Sequence, residues 1–422
     1  MTRTRSGLGR QLGWVGCLLL GLIAWKQFGQ ARENLPTDKP NLGDSRTSAE
    51  GRVGSRKIRF PKDRSLGWLS VEDSDSTSAG FSERELGEAR GEVEIPAGMD
   101  AILSVTEQPA HDLSPLASLG PNDLQSVYLA GKAITDQQIA YLRGQKSLRR
   151  LLLDRTGVSD AGLVHIGELH SLRQLSLWEG EISGSGLAYL DGLTSLSWLS
   201  LSETSIADSA LAYVAKMHSL GVLFLNGTKV GDAGLLHIAH LRSLRLLNLA
   251  NTEVTDVGLK HLRELTSLED LRLSELKITD AGLQNFAKLA KLRRLDLWGT
   301  KVTDAGLVHL AGLKSLEELS LSYTSITEKG LALISGLPNL KKLSLPLTRS
   351  NSAGLAHLKS VVSLRELQLI SDEPMTYSAV RHLKELRSLR KLDLIGVKIS
   401  SYQLATLRVS LPNCRIVSLH DR

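Results

Sequence analysis

From Leu124 onward the amino-acid sequence returns to one pattern every 24 residues. Leu148-Arg-Arg-Leu151-Leu-Leu153 is answered by Leu172-Arg-Gln-Leu175-Ser-Leu177, and again by Leu292-Arg-Arg-Leu295-Asp-Leu297. Twelve units begin at Leu124, Leu148, Leu172, Leu196, Leu220, Leu244, Leu268, Leu292, Leu316, Leu340, Leu364 and Leu389. All carry leucine at positions one and six, and only Val127 departs from leucine at position four. The eleventh unit alone is longer, by one residue around Pro374. A fixed period of this size specifies stacked copies of one small supersecondary unit.

Each unit has two halves. Leu-x-x-Leu-x-Leu alternates at its end, which predicts a short strand with positions four and six facing inward. The second half, as in Val302-Thr-Asp-Ala-Gly-Leu307-Val-His-Leu310-Ala-Gly-Leu313, places apolar residues at spacings of three and predicts a helix. Thr303 is placed to cap it, with Asp304 favoured in the first turn by the helix dipole. One unit alone buries too few aliphatic groups to offset the ordering of its backbone, so neighbours must stack. Strands pack about 4.8 Å apart and helices about 8 to 10 Å apart, which bends the stack with strands inside the arc. The expected fold is an α/β repeat solenoid, a horseshoe with a parallel β-sheet on its concave face and helices on its convex face.

The Leu-x-x-Leu-x-Leu-x-x-Thr core followed by Val-Thr-Asp-Ala-Gly-Leu resembles the bacterial leucine-rich-repeat family common in planctomycete-type genomes. It is also similar to the repeats of F-box proteins. The resemblance covers residues 124–419 and implies the horseshoe and a binding role. The family's ninth position usually holds Asn or Cys, whereas seven units here have Thr: Thr156, Thr204, Thr228, Thr252, Thr300, Thr324 and Thr348. A hydroxyl there still satisfies neighbouring backbone groups. No F-box-like module precedes the repeats.

Residues 1–31 read as an export signal. Arg3, Arg5 and Arg10 precede the apolar run Leu12 to Trp25, and Gly29-Gln30-Ala31 offers a small-x-small cleavage site. The run falls short of a full membrane span. Cleavage after Ala31 and retention as a signal anchor both stay open. A lipoprotein at Cys17 fails, because most of the apolar run follows the cysteine. Residues 32–57 are polar and aperiodic and read as a disordered stalk. Residues 58–123 read as an amino-terminal β cap and a degenerate repeat. Ile58-Arg-Phe-Pro61…Trp68-Leu-Ser-Val71 and Val93-Glu-Ile-Pro96…Ile102-Leu-Ser-Val105 look like one strand pair duplicated. Twelve repeats fill 124–413, and 414–422, through Ile416 and Leu419, closes the other end.

Charge gives little reason to expect nucleic acid. The chain carries +6, yet without residues 1–31 it has 47 basic against 45 acidic residues. Cys17 and Cys414 are too few and too far apart for a disulfide framework or structural zinc. Columns of histidine (His165, His237, His261, His309, His357, His382) and aspartate (Asp136, Asp160, Asp208, Asp232, Asp256, Asp280, Asp304) recur once per unit. Helix-to-helix spacing is too wide for shared metal coordination, so the histidines read as structural and the aspartates as first-turn helix stabilisers. Gly184-Ser185-Gly186 is a variant of Asp-Ala-Gly without a base, and Asn226-Gly-Thr228 matches a glycosylation acceptor. No catalytic set, metal site or cofactor is expected.

The outward strand positions three, five, seven and eight are the informative ones. In units one to six they hold Tyr128, Leu152, Trp178, Trp198, Val222, Phe224 and Leu246. Trp298 and Tyr323 follow in units eight and nine, among the charged Asp270, Arg272, Arg294, Asp296, Glu318 and Lys342. Large apolar groups on a face that should be solvated point to partner contact. The expected molecule is an exported monomeric scaffold, in the periplasm or at the cell surface and tied to the membrane by its first segment. It would bind a protein or peptide on the concave face. A structural envelope spacer, or an adaptor of F-box type lacking its F-box, are the alternatives.

Overall fold

The computed structural model of the chain describes residues 54–74, 83–105 and 112–418. The export segment, the stalk up to residue 53, Cys17 and Leu419 lie outside the described residues. The described part forms two compact units, divided between Ser104 and Val105.

In the first unit, β1 (Arg56–Arg59) runs antiparallel to β4 (Glu92–Ile95). β2 (Trp68–Asp73) lies between β3 (Arg84–Glu88) and β5 (Met99–Val105), antiparallel to both. The first strand starts at Arg56, inside the expected stalk, because Lys57 and Arg59 both reach Glu92, at 2.6 and 3.2 Å. The duplicated segments pair with each other: Ile58 faces its counterpart Val93, and Leu69 faces Leu103. Each copy thereby supplies the other's strand partner. Ile58, Leu69, Val71, Ile95, Ile102 and Leu103 are fully buried between them. β3 is a strand the sequence pattern did not announce, since Arg84-Glu-Leu-Gly-Glu88 has no alternating large apolar residues.

The second unit is the repeat array. Its strands are Ser126–Ala130, Arg150–Asp154, Gln174–Ser176, Trp198–Ser200, Val222–Phe224, Leu246–Asn248, Asp270–Arg272, Arg294–Asp296, Glu318–Ser320, Lys342–Pro346, Glu366–Ile370, Lys391–Ile395 and Arg415–Val417, or β6 to β18. They pair in parallel and in chain order, as Leu223 does with Leu247 and Leu247 with Leu271. Partners lie 24 residues apart until β16 and β17, where Glu366 faces Lys391. Pro374 then bridges Lys398, so the extra residue of unit eleven is confined to Ser371–Glu373 and leaves the sheet register intact. Leucines at positions one, four and six are buried throughout, which makes one continuous aliphatic core. This is the horseshoe repeat architecture the periodicity implies.

The convex side corrects one expectation. Units one, six, seven and eight carry a single α-turn followed by a 3₁₀ turn, such as Asp304–Leu307 and Val308–Leu310, and units three and ten carry 3₁₀ turns alone, instead of a full helix. The reason lies in the spacing. Leu307, Leu310 and Leu313 recur at intervals of three, which suits a helix of three residues per turn better than one of 3.6. The longest described helix, Ser401–Ser410, is closed by a capping box between Ser400 and Gln403.

Two side-chain columns fasten the units. Thr156, Thr204, Thr228, Thr252, Thr300 and Thr324 each donate to the carbonyl three residues back, at 2.5 to 3.0 Å. The aspartates reach forward into the next unit. Asp280 accepts from the Thr303 backbone N–H at 2.8 Å and its hydroxyl at 2.6 Å, and Asp256 does the same for Thr279 at 2.8 and 2.7 Å. Thr303 in turn caps its own helix by accepting from Ala305 N–H. The aspartates therefore do more than complement a helix dipole: each pins the cap of its neighbour.

Candidate functional site

Alternation along the strands sends positions three and five to the concave face. Tyr128 on β6, Leu152 on β7, Trp198 on β9 and Phe224 on β10 lie there half-buried. The Trp198 and Phe224 rings meet at 5.5 Å between centroids, tilted by 50°. Val222 and Leu246 are a correction, because they are only 5% and 7% exposed. Val222 sits between Trp198 and Leu246 on adjacent strands, and side chains about 4.8 Å apart shield one another. The two form the floor of the patch, and Trp198 and Phe224 form its accessible surface.

Trp178 does not join Trp198 and Phe224 on a strand. Trp178 follows the end of β8, in the turn, and Trp298 and Tyr323 likewise lie beyond β13 and β14. Position seven falls outside the three-residue strands of the middle units. The Arg155 guanidinium covers the Trp178 ring at 4.5 Å and bonds Glu179 at 2.8 Å. Trp298 and Tyr323 pack edge to face at 5.3 Å, and Tyr323 is 63% exposed.

Amides and hydroxyls extend the patch. Asn226 accepts from Ser202 at 2.7 Å and from the Asn248 amide at 3.0 Å, which in turn accepts from Ala250 N–H at 3.0 Å. This engages Asn226 within the concave face, an unsuitable position for a glycosylation acceptor. Beyond it lies a charged ladder. Asp270, buried, accepts from Arg272 at 3.1 Å and Arg294 at 3.4 Å, and Arg294 also reaches Glu318 at 3.1 Å. Burial works against the Arg272 cation, yet Asp270 and the nearby Asp296 and Glu318 hold its pKa above the usual value. A low-dielectric setting strengthens these pairs and fixes their geometry.

Position eight, one of the outward positions singled out in the sequence, forms a rim whose left-handed backbone sequence reading missed. Arg155, Glu179, Glu203, Asn251, Glu275 and Tyr323 all have φ between +50° and +60°, a left-handed conformation that costs on the order of 1 kcal/mol each for residues with a Cβ. Gly131, Gly227, Gly299 and Gly396 hold the same column, and that recurrence was the available signal. Burial raises the Glu203 pKa; its Asn226 contact opposes this and Glu179 adds to it. Gly227 makes room for the Glu203 carboxyl, which would lie 2.4 Å from an added Cβ.

Among the described residues no three His, Cys, Asp or Glu side chains gather as metal ligands. Burial lowers the pKa of His165 and His261, favouring their neutral form. The Ser185 hydroxyl donates to Asp160 at 2.8 Å, one more rung of the aspartate ladder.

The family described as leucine-rich repeat region matches residues 123–419. A comparison with curated proteins finds no match. Among solved structures, a leucine-rich-repeat protein of Leptospira interrogans is 20% identical, with 75% of this chain and 89% of that one covered and a TM-score of 0.50. The TLR13–ssRNA13 complex is similar at 20% identity, over 75% of this chain and 48% of that one, also with a TM-score of 0.50. The internalin inlF of Listeria monocytogenes is 18% identical over 75% and 85% of the two chains, with a TM-score of 0.46. These likenesses concern the fold.

Proposed function

Because the chain belongs to the leucine-rich-repeat family, whose members are typically protein-binding scaffolds, we propose that it is a non-catalytic scaffold that holds a protein or peptide on its concave face. The observation that carries this reading is the Trp198–Phe224 pair. Two large rings stand half-exposed over an apolar floor, beside the Asn226 and Asn248 amides. Aromatic anchors next to polar groups are where binding energy concentrates.

Charge favours protein over nucleic acid. At the outward positions of the twelve units, nine carboxylates, among them Glu179, Glu203, Asp270 and Glu275, stand against six cations, Arg150, Arg155, Arg272, Arg294, Lys342 and Lys391. An excess of carboxylates repels phosphates. Export to a bacterial envelope, of the planctomycete type that the repeats resemble, rests on Arg3, Arg5, Arg10 and the apolar run to Trp25. No described helix is long and apolar enough to cross a membrane. We assign any membrane tether to residues 1–31 and the binding form to a monomer.

The test uses the full chain as bait against an envelope extract, in parallel with Trp198→Ala and Phe224→Ala. Specific capture that falls about thirtyfold with either substitution, at unchanged melting temperature, is the expected result. Capture indifferent to both would remove the patch from the binding surface.

A further inference from the structure

We propose that Glu275, Trp298 and Tyr323 form a site for a cationic side chain, a guanidinium or ammonium group, presented by the partner. This rests on the concave-face reading and adds to it the charge of the ligand at one place. The corner spans units seven to nine, away from the Trp198–Phe224 pair.

The array contains a worked example of the chemistry. Arg155 at position eight of unit two lies 4.5 Å over the Trp178 ring of unit three and bonds Glu179 at 2.8 Å. One cation there is shared by an indole face and a carboxylate, the two groups that attract it most. The same backbone relation recurs five units later. Arg155 N–H donates to the Trp178 carbonyl at 2.8 Å, and Glu275 N–H donates to the Trp298 carbonyl at 2.8 Å. In the second case position eight holds the acid, so indole and carboxylate are both present and the cation is not part of the chain.

Four further observations sharpen the site. Among the described residues Glu275 has no ion pair or side-chain hydrogen bond, whereas Glu179 has Arg155. Glu275 and Tyr323 are both held in the left-handed region, at φ +60° and +58°. Tyr323 packs edge-on against Trp298 at 5.3 Å and 74°, which holds the indole of the residue whose carbonyl accepts from Glu275 N–H. Between them stands Gly299, where an added Cβ would lie 3.6 Å from the Glu275 Cγ, so the corner is open on that side. An aromatic corner with one unpaired carboxylate complements a cation and disfavours a neutral or anionic group.

The test replaces the six tryptophans of the full chain with 5-fluorotryptophan and follows them by fluorine NMR, with Trp298→Phe assigning the Trp298 resonance. The probe is Nα-acetyl-arginine methylamide, with the citrulline analogue as its uncharged match. The expected result is a saturable shift of the Trp298 resonance with arginine and none with citrulline, weakened at least tenfold in Glu275→Gln. No saturable shift, an equal shift with citrulline, or a response untouched by Glu275→Gln would overturn the site. The concave-face reading is judged separately. Partner capture lost in Trp198→Ala alongside a silent Trp298 rejects only the cation site; a responsive Trp298 in a chain that captures nothing rejects only the partner patch.

Discussion

Asp280 reaches out of its own turn to hold the backbone N–H and hydroxyl of Thr303 in the next unit. The glycine immediately before the convex core leucine, Gly306 before Leu307, makes that reach possible. At Gly306 a Cβ would stand 2.4 Å from Asp280 Oδ1 and 3.0 Å from Leu283 Cδ1. Gly306→Ala should therefore cost about 2 kcal/mol or more, although alanine is the better helix former. In an Asp280→Ala background the same change should cost much less, as urea titration of the four variants would measure. Equal costs in both backgrounds would mean the carboxylate is not the obstacle. The aspartate and glycine columns were legible in the sequence. Their joint purpose was not, because a contact between residues of different units has no signature within one unit.

Glu203 gives a residue-scale prediction in pH. Its folded-state pKa lies above the ordinary value of 4.5 because burial penalises the charge. A raised carboxyl pKa favours the folded state fully below the unfolded value, and that gain is lost as pH rises through the folded value. Wild type should therefore gain stability relative to Glu203→Gln as pH falls from 7 towards 4. Melting temperatures of the two chains across that range provide the check, and a constant difference would contradict it.

At the scale of elements, fastening is uneven. From Asp232 to Thr327 the ladder is unbroken, through Thr255, Thr279 and Thr303. It lapses where Gly184 and Glu328 replace aspartate. In unit ten the equivalent of Val302 is the exposed Ser350, and the next residue is a buried amide: Asn351 donates to the Pro346 and Ile326 carbonyls at 2.6 and 3.3 Å and accepts from Thr348 N–H at 2.9 Å. Each unit of a solenoid depends on its neighbours alone, so local breaks set local stability. Hydrogen exchange should be slowest in the strands from Leu246 to Ser320 and distinctly faster from Lys342 onward. Uniform protection along the array would contradict this. The strands were readable because the leucine alternation is strict; unit ten was not, since Ser350-Asn351-Ser352 keeps the length of the repeat while changing what fills its core.

At the scale of the molecule, residues 1–31 are proposed to direct export and the concave face of the repeat array to hold a partner. Residues 1–31 fused to a reporter active only outside the cytoplasm should deliver it there, and a reporter retained in the cytoplasm would refute the targeting proposal. The binding face was only half legible. Trp198 and Phe224 stood out as large rings at outward positions, whereas Val222 and Leu246 looked the same in sequence and proved to be floor. The left-handed rim at Glu203 and Glu275 was legible only through the glycines that share its column, because left-handed backbone at non-glycine residues leaves little trace in composition.

The central claim is that a partner protein lies against the concave patch, and a photo-crosslinker placed at a single residue tests it most directly. p-Benzoylphenylalanine would replace Phe224 on β10, and in a control chain Leu236 on the convex helix Asp232–Ile238, which is 58% exposed. On irradiation in envelope extract, the account predicts one dominant protein adduct from position 224, suppressed by Trp198→Ala, and no such adduct from position 236. Equal adducts from both positions, or an adduct from 236 alone, would contradict it.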